Sequence, residues 1–132
     1  MFKCLNHVAI AVNNIDEALE VFERQLGWKL EKTRIVEQQK IKAALLWMGD
    51  TKIELLEPAG ADSTVAKFLE KRGEGIHHIA VTVSDIEARI KELKEKGIVL
   101  IDEKPRLGME GTRIAFIHPK STKNVLIELV ES

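Results

Sequence analysis

With a single cysteine, Cys4, among its 132 residues, the chain cannot brace itself with an internal disulfide. Such a composition suits a reducing compartment, and Cys4 reads as a small apolar filler. An excess of one charge is missing too. The 20 basic and 21 acidic side chains are interspersed and nearly cancel, to −1, so no basic stripe exists to follow a nucleic-acid backbone, and a small-molecule partner is expected instead. No apolar run approaches membrane-spanning length, and Met1 leads straight into a strand-like pattern without the segments of a secretory signal. These absences predict a soluble cytoplasmic protein that engages neither nucleic acid nor membrane.

What the chain does have is a repeat. His7-Val8-Ala9-Ile10-Ala11-Val12 and His78-Ile79-Ala80-Val81-Thr82-Val83 are alternating runs rich in branched residues, as strands favour. Each leads into a helix pattern. Asn14 with Glu17, and Ser84 with Glu87, have capping-box spacing. Ile15, Leu19, Phe22 and Leu26 form one apolar stripe and Ile86, Ile90 and Leu93 another. Gly27 and Gly97 stop the two helices, because a left-handed C-terminal position favours glycine. Ile53-Glu54-Leu55-Leu56-Glu57 and Ile127-Glu128-Leu129-Val130-Glu131 close the two copies. The His residues lie 71 positions apart and the Glu residues 74, so an insertion of about three residues aligns the copies.

Hydrophobic content of 45% over this length supports one compact core. A single domain over residues 1–132 is expected, with modules over about 1–57 and about 76–132 and a connector over about 58–75. Val65, Phe68 and Leu69 give the connector a short amphipathic helix, with Gly73 and Gly75 at its exit. Further strands are expected at 29–36 and 42–48, separated by Gln38-Gln39-Lys40, with Gly49-Asp50 turning into Ile53. Their second-copy counterparts are 98–101, 112–117 and 125–130. Each copy thus reads as strand, helix, then three strands.

Alternation sets the direction of the polar side chains. His7 shares a face with Ala9 and Ala11, and His78 with Ala80 and Thr82; small neighbours predict an open concavity beside each His. Val8, Ile10 and Val12 face the other way, under the helix. A lone strand His is more often a hydrogen-bonded core residue than a ligand, and a lone strand Glu usually faces water. Two of each in register across a duplication point to a shared metal site built from His7, Glu54, His78 and Glu128. Two imidazoles and two carboxylates suit a borderline divalent metal better than Ca2+ or Mg2+. His77 falls on the face opposite His78, and His118 precedes Pro119 in a turn; both read as structural.

Taken together, LNHVAIAV (5–12), TKIELLEP (51–58), GIHHIAV (75–81) and HPKSTKNVLIELVE (118–131) resemble the vicinal oxygen chelate superfamily, and within it the methylmalonyl-CoA epimerases, over essentially the whole chain. The resemblance implies an α+β fold in which two tandem βαβββ modules form one cup-shaped mixed β-sheet. It places the metal ligands at His7, Glu54, His78 and Glu128, with Co2+ foremost and Zn2+, Ni2+ or Mn2+ as alternatives. Position 54 is Gln in some members, so Glu here adds a negative charge. The family's free catalytic carboxylate falls on Glu37, where Gln39 replaces a glycine of the usual Glu-Gln-Gly setting.

The implied activity is epimerisation of (2R)- and (2S)-methylmalonyl-CoA by removing and returning the C2 proton through a metal-stabilised enolate. Inversion needs an acid/base on each face, and Glu37 and Glu128 are the candidates. Lys120 and Ser121 are candidate contacts for the CoA phosphates or the acyl group. The family also implies a homodimer acting in propionate metabolism. Two rivals share the scaffold: a glyoxalase I-type lactoylglutathione lyase, against which Glu37 and the HPKS segment argue, and a metal-free binding or resistance protein, against which four intact ligands argue.

Overall fold

The computed structural model describes residues 2–132; Met1, from which the sequence leads into its first strand pattern, lies outside them. The chain forms two compact units, one of His7–His77, the other of residues up to Asn6 together with His78–Ser132. The order strand, helix, three strands occurs twice, as expected. Strands β1 (Phe2–Ala11), β2 (Lys29–Val36), β3 (Ile41–Met48) and β4 (Thr51–Pro58) accompany helix α1 (Ile15–Leu19), and strands β5 (Gly75–Val83), β6 (Arg106–Leu107), β7 (Arg113–Ile117) and β8 (Ile127–Glu131) accompany helix α3 (Ile86–Glu95). Helix α2 (Thr64–Arg72) lies between the two sets, in the expected connector. Parallel and antiparallel ladders mix in both sets, so the class is α+β.

In the His7–His77 unit the strand order is β2-β3-β4-β1, with β1 and β4 parallel and the other ladders antiparallel. Val12, Ile15, Ala44, Leu46, Ile53 and Leu55 are buried together, with Val8, Ile10 and Phe22 packed on them. This is the helix-covered face that alternation assigned. The Glu17 N–H donates to Asn14 Oδ1 at 2.9 Å, which starts α1. The helix does not run on regularly to Leu26. Glu20–Gln25 widens into a π-turn in which the Leu26 N–H donates to the Val21 carbonyl. The extra residue in that turn rotates Leu26 out of the apolar stripe, leaving it 54% exposed, while Phe22 stacks on Trp28 with ring centroids 5.3 Å apart.

In the second unit the order is β5-β8-β7-β6, again with one parallel ladder, β5 to β8. Val83, Ile86, Ile90, Leu100, Ala115, Ile117 and Leu129 form its helix-side core. Two details depart from expectation. The cap of α3 is Asp85, in left-handed backbone at φ 48°, with the Ala88 N–H donating to its Oδ1; Ser84 is not the cap. With the cap at Asp85 the third helical position is Ala88, so Glu87 is out of register for a capping box, and its Oε1 instead accepts from Arg113 Nη1 at 3.3 Å. The expected strand at 98–101 shrinks to a single bridge between Leu100 and Ile117. Two backbone bonds frame that bridge, from the His118 N–H to the Val99 carbonyl and from the Ile101 N–H to the Phe116 carbonyl, while side chains take the remaining ladder positions: the Val99 N–H donates to Ser121 Oγ, and the Phe116 N–H to Asp102 Oδ2. The short β6 then pairs with β7 in its stead. Gly27 and Gly97 hold positive φ, 78° and 86°, at the helix exits, as the sequence required. No described helix is long and apolar enough to cross a membrane.

Candidate functional site

Strand register reproduces the duplication at the level of single residues. Ala9, two positions past His7, stands opposite Glu54 in the β1–β4 ladder, and Ala80, two past His78, stands opposite Glu128 in the β5–β8 ladder. Because residues two apart on a strand share a face, this register brings each His to its own Glu. In one unit His7 Nε2 lies 3.8 Å from Glu54 Oε1, and in the other His78 Nε2 lies 3.2 Å from Glu128 Oε1. All four side chains are buried, with relative exposures of 6%, 4%, 6% and 8% in sequence order.

The surroundings are more closed than predicted. Ala9, Ala11 and Ala80 are fully buried. On the His78 face, Ala80 packs with Ile114, Val130 and Phe116, and the Phe116 ring meets the His78 imidazole edge to face at 5.4 Å. Small residues beside each His were read as leaving open space; larger side chains from neighbouring strands, invisible to a single-strand pattern, fill part of it in the second unit.

A divalent cation fits this donor set. Burying a carboxylate costs several kcal/mol unless it is compensated, and Glu54 Oε2 is buried without a hydrogen bond to any described residue. Imidazole nitrogen and carboxylate oxygen are the ligand types that borderline transition metals accept.

The other predicted residues are placed differently. Glu37 opens an exposed 3-10 turn, Glu37–Gln39, between β2 and β3, and its side chain makes no hydrogen bond or ion pair with a described residue. Lys40, with φ 55°, closes that turn. Lys120 is exposed, whereas Ser121 Oγ accepts the Val99 N–H at 2.9 Å and so ties the HPKS turn to the preceding segment. His118 Nδ1 accepts the Lys120 N–H at 3.0 Å, capping the same turn, and His77 stacks edgewise on Phe68 at 5.0 Å.

Residues 6–116 match the family described as Glyoxalase/Bleomycin resistance protein/Dioxygenase superfamily. The chain belongs to this superfamily. Within it, the ethylmalonyl-CoA/methylmalonyl-CoA epimerase of Cereibacter sphaeroides is 39% identical over 95% of this chain and 95% of the relative. The crystal structure of methylmalonyl-CoA epimerase from Mycobacterium tuberculosis is 42% identical, with a TM-score of 0.91 over 98% of this chain and 88% of that one. A methylmalonyl-CoA epimerase in complex with methylmalonyl-CoA and NH4+ is 36% identical, with a TM-score of 0.93 over 100% of this chain and 96% of that one. These superfamily relatives are epimerases, enzymes of the isomerase class.

Sequence reasoning missed one paired feature of this superfamily member. The Ile15 N–H donates to Glu57 Oε1 at 2.7 Å, and the Ile86 N–H to Glu131 Oε2 at 3.0 Å. The strands that carry Glu54 and Glu128 therefore also anchor the first turns of the helices that cover them. The signal was available, since Glu57 and Glu131 are 74 positions apart, the same offset as Glu54 and Glu128. Arg113 grips Glu131 through Nε and Nη2, at 2.8 and 2.9 Å. That guanidinium, followed by the Ile86 N–H, holds the Glu131 carboxyl below the usual carboxylate range, and the same contact raises Arg113.

Proposed function

We propose that this chain is a metal-dependent epimerase that interconverts (2R)- and (2S)-methylmalonyl-CoA by taking and returning the proton at C2. The observation that carries the reading is the duplicated register, which gives each unit one buried His–Glu pair, together with the near full-length similarity to epimerases. His7, Glu54, His78 and Glu128 together would hold one divalent ion, Co2+ foremost among Zn2+, Ni2+ and Mn2+. Bound there, the ion supplies Lewis-acid stabilisation of the negative charge that develops on the acyl oxygens, worth several kcal/mol.

The remaining chemistry belongs to the side chains. A carboxylate is a weak base towards a carbon acid, so it must act where the developing charge is already stabilised. Inversion needs a carboxyl on each face of the α-carbon: Glu37 takes or gives the proton on one face and Glu128 on the other. Glu37 is exposed, so a proton resting on it exchanges with water before it is returned. Lys120 is assigned to the anionic CoA portion of the substrate. The whole of residues 1–132 acts as one domain of two modules joined by the 58–75 connector, in a cytoplasmic homodimer.

The test is solvent deuterium exchange at C2 of methylmalonyl-CoA, followed by NMR, with metal-stripped protein and with Co2+ restored. Metal-dependent wash-in of deuterium with loss of stereochemical purity is expected. A folded, metal-loaded protein that exchanges nothing would overturn the epimerase reading and favour the lactoylglutathione lyase.

A further inference from the structure

The His78 face of the second unit carries a guanidinium that the reaction outlined above does not use. Arg106, on β6, is paired with Ile114 of β7 and lies over the ring of Phe116, with Cζ 5.6 Å from the ring centroid. The same ring meets the His78 imidazole at 5.4 Å. Asp102 holds the arginine in place. One of its oxygens accepts the Phe116 N–H at 2.9 Å, and the other accepts Arg106 Nε–H at 2.9 Å.

An exposed ion pair of this kind adds little stability, but its geometry has a consequence for recognition. Nε is engaged by Asp102 and Cζ lies over the Phe116 ring, so the guanidinium is held at two points. The two Nη groups make no hydrogen bond to a described residue, and the side chain is 46% exposed. A preorganised guanidinium with its terminal donors open is built to bind a carboxylate or phosphate.

We propose that Arg106 is a specificity residue that binds the free carboxylate of a 2-carboxyacyl-CoA. This inference rests on the epimerase reading, which puts the acyl group beside His78. Of the anionic groups on such a substrate, the carboxylate is attached to C2 itself, whereas the CoA diphosphate lies a whole pantetheine arm away. One aromatic ring touches both Arg106 and His78, which favours the nearer anion. Arg106 thus distinguishes methylmalonyl-CoA from an acyl-CoA that lacks the second carboxyl.

The test is calorimetric binding of methylmalonyl-CoA and propionyl-CoA to Co2+-loaded wild type, R106M and R106K, with circular dichroism confirming the fold of each. R106M is expected to weaken methylmalonyl-CoA roughly ten- to a hundredfold, the loss of a charge-assisted hydrogen-bond pair. Propionyl-CoA binding should stay within about twofold, and R106K should fall between wild type and R106M. Equal weakening of both ligands, or of neither, overturns the inference while leaving the epimerase reading intact. A wild type that shows no preference for methylmalonyl-CoA overturns both.

Discussion

The two units share a backbone design and differ in what surrounds it. Each has a His, an Ala two residues on, a Glu opposite that Ala, and a second Glu three residues later that anchors a helix. Around Glu54 the antiparallel neighbour is Leu45, whereas around Glu128 it is the aromatic Phe116. The β2, β3 and β4 strands run eight residues each, whereas β6 has two and β7 and β8 five. The edge strands preserve the address of an arginine, Arg34 in one and Arg106 in the other, 72 positions apart. Arg106 lies over an aromatic ring at the His78 face, with Cζ 5.6 Å from the Phe116 centroid. The positions of the proposed ligands are thus set by strand register, which a duplication copies intact, while the residues proposed to recognise substrate lie in the neighbours that diverge.

The largest difference should appear at the two carboxylates proposed as ligands. Glu128 is assigned both metal binding and proton transfer, Glu54 metal binding alone. E128Q should lower kcat for racemisation by about 10^2- to 10^4-fold, the range for loss of a positioned acid/base, while E54Q, which removes the charge but keeps a coordinating oxygen, should keep kcat within roughly tenfold. Equal losses in the two variants would remove the functional asymmetry. E37Q should lose racemisation on a similar scale but retain its full metal content, measured by elemental analysis; wild-type turnover would dismiss Glu37 as the second acid/base.

Where the halves are alike, stability should respond alike. Leu55 and Leu129, each fully buried and 74 positions apart, should cost about 2–5 kcal/mol each on truncation to Ala, read from denaturant unfolding. Costs that differ by more than that range would show that one core collapses around its cavity. Smaller effects belong to the helix anchors: E57Q should cost roughly 1 kcal/mol, like the loss of an N-cap. Glu131 adds a pH signature. Its carboxyl is held below the usual range by Arg113, so its contribution is present above the ordinary carboxylate pKa and is lost as pH falls through the lowered value. The stability gap between wild type and R113M should therefore be steady near neutral pH and close in acid; a gap that persists at pH 2 would contradict the ion pair.

Much of this was legible in the sequence because it was written twice. The period-two runs indicated the face that His7 shares with Glu54 and the face that His78 shares with Glu128, and the glycine stops at 27 and 97 fell at positive φ. The failures are tertiary. Leu26 left its stripe because a π-turn inserted a residue, and 98–101 kept only one bridge because Asp102 and Ser121 supplied acceptors from side chains. Phe116 could not be placed against His78 without knowing that β7 lies beside β8. Glu57 and Glu131 were within reach, since the repeat offset marks them as plainly as the ligands.

The central proposal is that two matching His–Glu pairs serve one ion. Elemental analysis of metal per chain, on wild type, His7→Ala and His78→Ala after loading with Co2+ and gel filtration, tests it most directly. A single shared ion predicts one equivalent in wild type and a fall to a small fraction of that in either variant. Two equivalents in wild type, with each variant losing only one, would contradict it.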